Sequence, residues 1–189
     1  MMRMIMPKLT RAYRRFVDST RAVAAIEFAM IMPVLAVLFL GSFDGGRAIA
    51  IYMKVRSMTY AVDAITNQYT TMASSDMQGV LLATSQMLAP YSSTPVVVKI
   101  SQITISAKGV ATVSWGAALN GTPRAKGSAI TIPAALATPG SYLIYGETSY
   151  TYTPMFGYFS LGNIALSDNL FVTPRSSTCI IYTAVSATC

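Results

Sequence analysis

The chain has 189 residues, a net charge of +7, 53% apolar residues and only 11% charged ones, against roughly 25% charged in an ordinary soluble domain. That length can bury one respectable core and little more. The charge excess does not indicate nucleic-acid binding: six basic residues (Arg3, Lys8, Arg11, Arg14, Arg15, Arg21) fall before Ala22 against the single acid Asp18, whereas from Val23 onward eight basic residues face six acidic ones. The basicity therefore belongs to a short N-terminal segment, as expected of a cytoplasmic anchor under the positive-inside rule. No basic stripe interleaved with aromatics follows it.

In chain order, residues 1–22 form this basic leader. Val23 to Phe43 is an apolar run whose one charge is Glu27; its 21 residues span the ~30 Å hydrocarbon core at ~1.5 Å per residue. A secretory signal would have a shorter apolar region with a small-residue cleavage site soon after it. The one A-x-A match, Ala48-Ile49-Ala50, lies beyond Asp44 and Arg47. The run is thus read as a retained transmembrane helix, N-terminus cytoplasmic, with the rest of the chain periplasmic. Gly41, Gly45 and Gly46 are weak points where a kink is expected, and Pro33 is tolerable in lipid.

Ile51, Val55, Met58, Val62, Ile65, Tyr69 and Met72 recur at steps of four and three. This a/d stripe predicts that the helix continues amphipathically through residues 44–74, ending near Met72. Ser75-Asp76-Met77-Gln78 has the form of a capping box. After it, Met77, Val80, Leu81, Thr84 and Leu88 trace one face of a short second helix, with the methionines filling core gaps rather than binding metal.

Beyond "PYSSTP" the pattern turns to strands. Val96, Val98 and Ile100 alternate, and Ile103 and Ile105 alternate in the opposite phase, which predicts a bulge or break at Ser101-Gln102. Residues 103–106 against 110–115 read as a hairpin with Gly109 at positive φ. "GAALNGTPRAKGS" reads as a polar, mobile loop. Tyr142–Tyr152 is a long strand with Tyr142, Ile144, Thr148, Tyr150 and Tyr152 on one side, and a last strand spans residues 166–173. The predicted class is α+β: a long transmembrane-to-periplasmic helix, a short second helix, and an antiparallel β-rich head over residues 75–178. Tyr145, Tyr150, Tyr152, Tyr158 and Trp115 suit either a contact surface or half-buried strands, the reading favoured here. Glu147 is expected to pair with a nearby Lys or Arg.

The chain has no histidine, so Ser-His-Asp and Cys-His nucleophile arrangements are excluded. No phosphate-binding Gly-rich motif follows a strand, and neither an enzymatic role nor a cofactor is expected. Cys179 and Cys189, in the tail 179–189, suit neither a redox motif nor a zinc site. They are either a periplasmic disulfide or two free thiols.

The stretch "RRFVDSTRAVAAIEFAMIMPVLAVLFLGSFDGGRA" resembles the N-terminus of TadE/TadG-like pseudopilins of tight-adherence (Flp, type IVb) pilus systems. The matching features are a basic leader, small residues, Glu27-Phe28, Pro33 in the apolar run, and an acid shortly before Gly-Arg. "VSWGAALNG", "ITIPAALATPGSYLIYGETSYTYTPMFG" and "PRSS" are similar to the periplasmic part of that family. The resemblance implies a pilin-like head and removal of the leader by a prepilin peptidase between Ala22 and Val23, where the family usually has Gly at the position of Ala22. Glu27 would then be the fifth mature residue, able to neutralise the new amine of Val23 on an adjacent subunit. Packing between subunits would run through the stripe of Val23–Met72. The implied partners are other pilins and pseudopilins, the inner-membrane assembly platform and the lipid bilayer. The expected function is a minor pilin needed for pilus assembly and so for surface attachment. A permanently anchored periplasmic binding module and a pilus-tip adhesin are the alternatives.

Overall fold

The structure, a computed structural model, describes residues 20–155 and 162–185, with side-chain environments from Val23 onward. The expected leader before Thr20, and with it Tyr158 and Cys189, lies outside these residues. The elements run α1 (Thr20–Thr66), β1 (Thr71–Met72), α2 (Ser74–Gln86), β2 (Val96–Ile105), β3 (Ala111–Leu119), a 3-10 turn (Ala134–Leu136), β4 (Tyr142–Tyr152), β5 (Ile164–Val172), β6 (Ile181–Tyr182) and a second 3-10 turn (Thr183–Val185). The class is α+β, as expected. The chain divides into two compact units, Met1–Gly46 and Arg47–Cys189.

The first unit is helical through Pro33 and through Gly41, Gly45 and Gly46. Pro33 offers no N–H to the carbonyl four residues earlier. Ser42 Oγ donates to the Leu38 carbonyl at 2.7 Å. The expected interruption at the glycines is absent: a lone Gly weakens a helix by only about 1 kcal/mol.

In the second unit, four antiparallel strands pair in the order β3-β2-β4-β5, and the two-residue β1 and β6 pair in parallel. One face of the sheet carries Val96, Val98, Ile100, Trp115, Ala117, Ile144, Tyr150 and Tyr152, packed in one cluster with Ile51, Val55, Met58 and Val62 of α1 and Met77, Val80 and Leu81 of α2. The other face buries a smaller cluster, Ile103, Ile105, Ala111, Leu143 and Tyr145, against Ile130, Ile132, Leu136 and Phe171. This double cover explains the change of phase in β2. The strand pairs with β4 without interruption, so its even residues serve the helix side and its odd residues serve the second cluster.

The bulge expected in β2 is instead in β3. Gln102 pairs with Trp115 and Ile103 with Val113, leaving Ser114 as the extra residue. The bulge moves β3 from one cluster to the other while its odd residues remain the buried ones. The hairpin turn is as read, with Gly109 at φ 77°. The segment read as a polar, mobile loop from Gly116 differs: β3 runs on to Leu119, and the chain beyond folds back onto it. Gly127 N–H donates to the Val113 carbonyl (2.7 Å) and Ile130 N–H to that of Ala111 (3.1 Å). A Cβ on Gly116 would stand 2.7 Å from the Arg124 carbonyl oxygen, so only glycine admits this approach.

α1 ends at Thr66, short of the expected Met72. A seven-residue repeat drifts by about 20° per heptad on a straight helix, and Ile65, the next a/d position, is already 38% exposed. Past the end, Thr71–Met72 is captured as a strand by Ile181–Tyr182, with Ile181 N–H donating to the Thr70 carbonyl. α2 is capped two residues before the expected cap, Ser75. Its N-cap is Ala73, which lacks a side-chain acceptor, and only the Asp76 half of a capping box exists: Asp76 Oδ2 accepts from Ala73 N–H at 3.3 Å. Met77, Val80, Leu81, Thr84 and Leu88 are all buried, as the periodicity predicts.

The segment before β6 is gripped by side chains rather than by a strand. Gln102 Oε1 accepts from Ile180 N–H at 2.7 Å, and Trp115 Nε1–H donates to the Ile180 carbonyl at 3.0 Å. All three residues are essentially fully buried. Gln102→Leu leaves a buried N–H without an acceptor and is expected to lower stability by about 1–3 kcal/mol. Trp115→Phe strands the carbonyl, with a loss of the same order plus the lost packing. Denaturant unfolding followed by far-UV circular dichroism measures both.

Candidate functional site: an uncovered apolar helix and a buried acid

The first unit presents apolar surface on every side. Val23, Phe28, Met30, Ile31, Val34, Leu35, Leu38 and Phe39 are all large and exposed, Met30 by 75% and Phe39 by 72%. The stretch from Val23 is long and apolar enough to cross a membrane. An all-round apolar surface of this extent must be covered by lipid or by other apolar helices. Glu27 stands exposed on it beside Phe28, one turn beyond Val23, with Pro33 further along the same helix. Ala22 lies in α1, though its side-chain surroundings fall outside the description.

The second-unit part of α1 has two apolar faces. The stripe residues Ile51, Val55, Met58 and Val62 are spent inside the head's own core, so they cannot serve packing between subunits as the a/d stripe suggested. The face left open carries Ile49, Tyr52, Met53 and Tyr60. The strand aromatics, by contrast, are interior: Trp115, Tyr145, Tyr150 and Tyr152 are buried, and no contact surface is made of them. Glu147 pairs as expected. Arg124 Nε and Nη2 meet its two carboxylate oxygens at 2.6 and 2.8 Å, and the guanidinium lies 5.4 Å from the centre of the Tyr145 ring. This bidentate pair ties the 120–130 segment to β4.

Sequence periodicity missed one group. The buried seam of α1 continues through Thr59, Asp63 and Thr66, with Asn67 just past its end, polar residues that an apolar template passes over. The carboxylate of Asp63 lies against Gly146 of β4: a Cβ there would stand 2.5 Å from Oδ1. Asp63 is fully buried, and neither oxygen has a hydrogen-bond partner among the described residues. Burial, and secondarily the charge of Asp168, pushes its carboxyl up to about 8. The signal available in the sequence was the 3.6-residue spacing of Asp63 from Val55 and Thr59.

The first unit's one apolar helix fits a single-pass membrane anchor, and the second unit is an α+β domain. Residues 22–62 match the family model for TadE-like protein. Over this segment the chain is similar to TadE-like proteins, a family of structural components of the tight-adherence pilus rather than of known enzymes. No curated protein and no solved structure matches the chain.

A carboxyl raised in the folded state stabilises the fold most at pH values below its unfolded pKa, where both states are protonated. That stability is lost as pH rises through the folded value. The head is therefore expected to lose stability between about pH 4 and about pH 8 on account of Asp63. Asp63→Asn should flatten that slope and raise stability at pH 8 by about 2–4 kcal/mol, read from denaturant midpoints across pH. An unchanged slope contradicts the assignment.

Proposed function

We propose that this chain is a minor pilin-like subunit of a tight-adherence pilus, inserted in the inner membrane with its N-terminus cytoplasmic and its head periplasmic. The observation that carries the reading is the TadE-like match over residues 22–62, which takes in the exposed apolar stretch 23–43 with its one acid, Glu27. In this reading a prepilin peptidase cuts between Ala22 and Val23, and the freed amine of Val23 becomes a cation at the start of an apolar helix. Glu27 of a neighbouring subunit neutralises it, since a charge in apolar surroundings is tolerable only when paired. Subunits pack through the apolar surface of Val23–Phe43 and the open face of Ile49, Met53 and Tyr60. The pilus assembly platform and other pilins are the partners, and pilus-dependent surface attachment is the outcome. Cys179 and Cys189 pair as a periplasmic disulfide that closes the tail.

Intact-mass and N-terminal analysis of the membrane-extracted protein tests the first step: a mature chain beginning at Val23 is expected, and a retained arginine-rich leader overturns the reading. Removing one member of a desolvated ion pair typically costs 3–5 kcal/mol. Glu27→Ala should therefore lower recovery in sheared pilus fractions by about tenfold or more, with membrane insertion unchanged. Normal incorporation of Glu27→Ala refutes the pairing.

A further inference from the structure

The second cluster covers one end of the odd-numbered face of the sheet. The other end is a groove of about 170 Å³ lined by Val97, Lys99, Glu147, Ser149, Ser167 and Asn169, well above the ~10–15 Å³ that one water needs on the same measure. The register sets them in two rows: Lys99 faces Glu147 and Glu147 faces Asn169, while Val97 faces Ser149 and Ser149 faces Ser167. Cross-strand partners share a face, and at the usual strand spacing the floor is roughly 10 Å wide and roughly 7 Å long. The 120–124 segment forms a wall. A Cβ on Gly121 would stand 2.6 Å from Val97 Cγ1 and 3.5 Å from Lys99 Cε, so the chain lies directly against this floor. Arg124, from the same segment, takes both oxygens of Glu147. Lys99, directly opposite Glu147 in the ladder, is thereby left half-buried with no ion pair or hydrogen bond among the described residues. The side chains of Ser149, Ser167 and Asn169 are likewise without partners among the described residues.

The groove thus presents one unpaired cation, one carboxylate already neutralised by Arg124, two hydroxyls and one amide. Its field is net positive, Lys99 and Arg124 against Glu147. Four kinds of ligand can be weighed by what each leaves unmet. A metal ion finds a single carboxylate, already engaged, beside an ammonium. A phosphate-like oxyanion brings close to two negative charges to one free ammonium and has little to donate to Glu147. A neutral sugar serves the hydroxyls and the amide but leaves the ammonium unmet. A carboxylated sugar answers the whole set. Its carboxylate accepts from Lys99, and its hydroxyls donate to Glu147 and exchange hydrogen bonds with Ser149, Ser167 and Asn169. We propose that this groove binds a carboxylated sugar, of the kind a uronic-acid residue provides. Ser167 and Asn169 are exposed on the edge strand β5, so a longer acidic chain can run on past that side. The groove lies wholly within the second unit, and binding there needs neither leader removal nor assembly.

The test is saturation-transfer NMR on the full chain in a detergent without a sugar headgroup, with sodium glucuronate, glucose and sodium acetate as probes. A ligand of this size at ordinary efficiency binds at about 1 mM. Glucuronate is expected to bind saturably in that range, with glucose and acetate each about tenfold weaker or worse. Lys99→Gln removes a charge-assisted hydrogen bond and should weaken glucuronate about tenfold, to the level of glucose. Ser167→Ala, at an exposed position, should weaken it about threefold and provides an independent variant should Lys99→Gln fail to fold. No saturable glucuronate binding up to about 20 mM, twentyfold above the expected value, overturns the proposal. So does glucuronate affinity that is unchanged in Lys99→Gln or, where that variant does not fold, in Ser167→Ala. Acetate bound as tightly as glucuronate reduces the groove to a bare anion site, and glucose bound as tightly leaves the ammonium no role; either result refutes the carboxylated sugar.

Discussion

The head depends on one contact, the burial of the Ile51–Thr66 face of α1 on the even-numbered side of β2 and β4. A four-stranded antiparallel sheet with apolar residues on one face is not stable until that face is covered. Here the cover is supplied by a helix whose preceding half is apolar all round. The same element therefore meets two solvents. Its first stretch has no polar face and suits lipid or sister helices, whereas beyond Arg47 one side is committed to the core. Everything else in the head completes this contact: α2 extends the cover, and the Ile180 segment closes it from the Trp115 side.

Polar groups within that contact are its weak point as well as its specificity. Thr59 answers its own need by donating to the Val55 carbonyl, and Thr84 does the same on α2. Asp63 has no such recourse, and its burial favours the neutral form. Gly146 makes the approach possible, because any side chain there would push the helix off the sheet. An acid facing a glycine also fixes the helix against sliding: a shift along the strand would set the carboxylate against the side chain of Ile144 or Thr148 instead.

Much of this was legible beforehand. The two helices, the Gly109 hairpin, the Tyr142–Tyr152 strand and the α2 face follow from period and turn chemistry, which are local. The Val23–Phe43 run is legible for the same reason, since a membrane reads composition rather than tertiary partners. What escaped depends on distant partners. The helix stops at Thr66 because residues more than a hundred positions later pair with Thr71–Met72. The phase change in β2 signals a second covered face rather than a bulge, since its cover comes from the chain around Ile130 and Leu136. Asp63 was invisible because a heptad template searches for apolar residues, and the seam at that point is polar.

The extra residue in β3 also divides the head into two mechanically separate compartments. Val113 and Trp115 are two positions apart, a spacing that in a regular strand puts side chains side by side. With Ser114 between them in the bulge, they stand on opposite sides of the sheet. Loosening the compartment under the 120–136 segment therefore leaves the one under α1 packed, and perturbations at these near neighbours combine as if the residues were far apart.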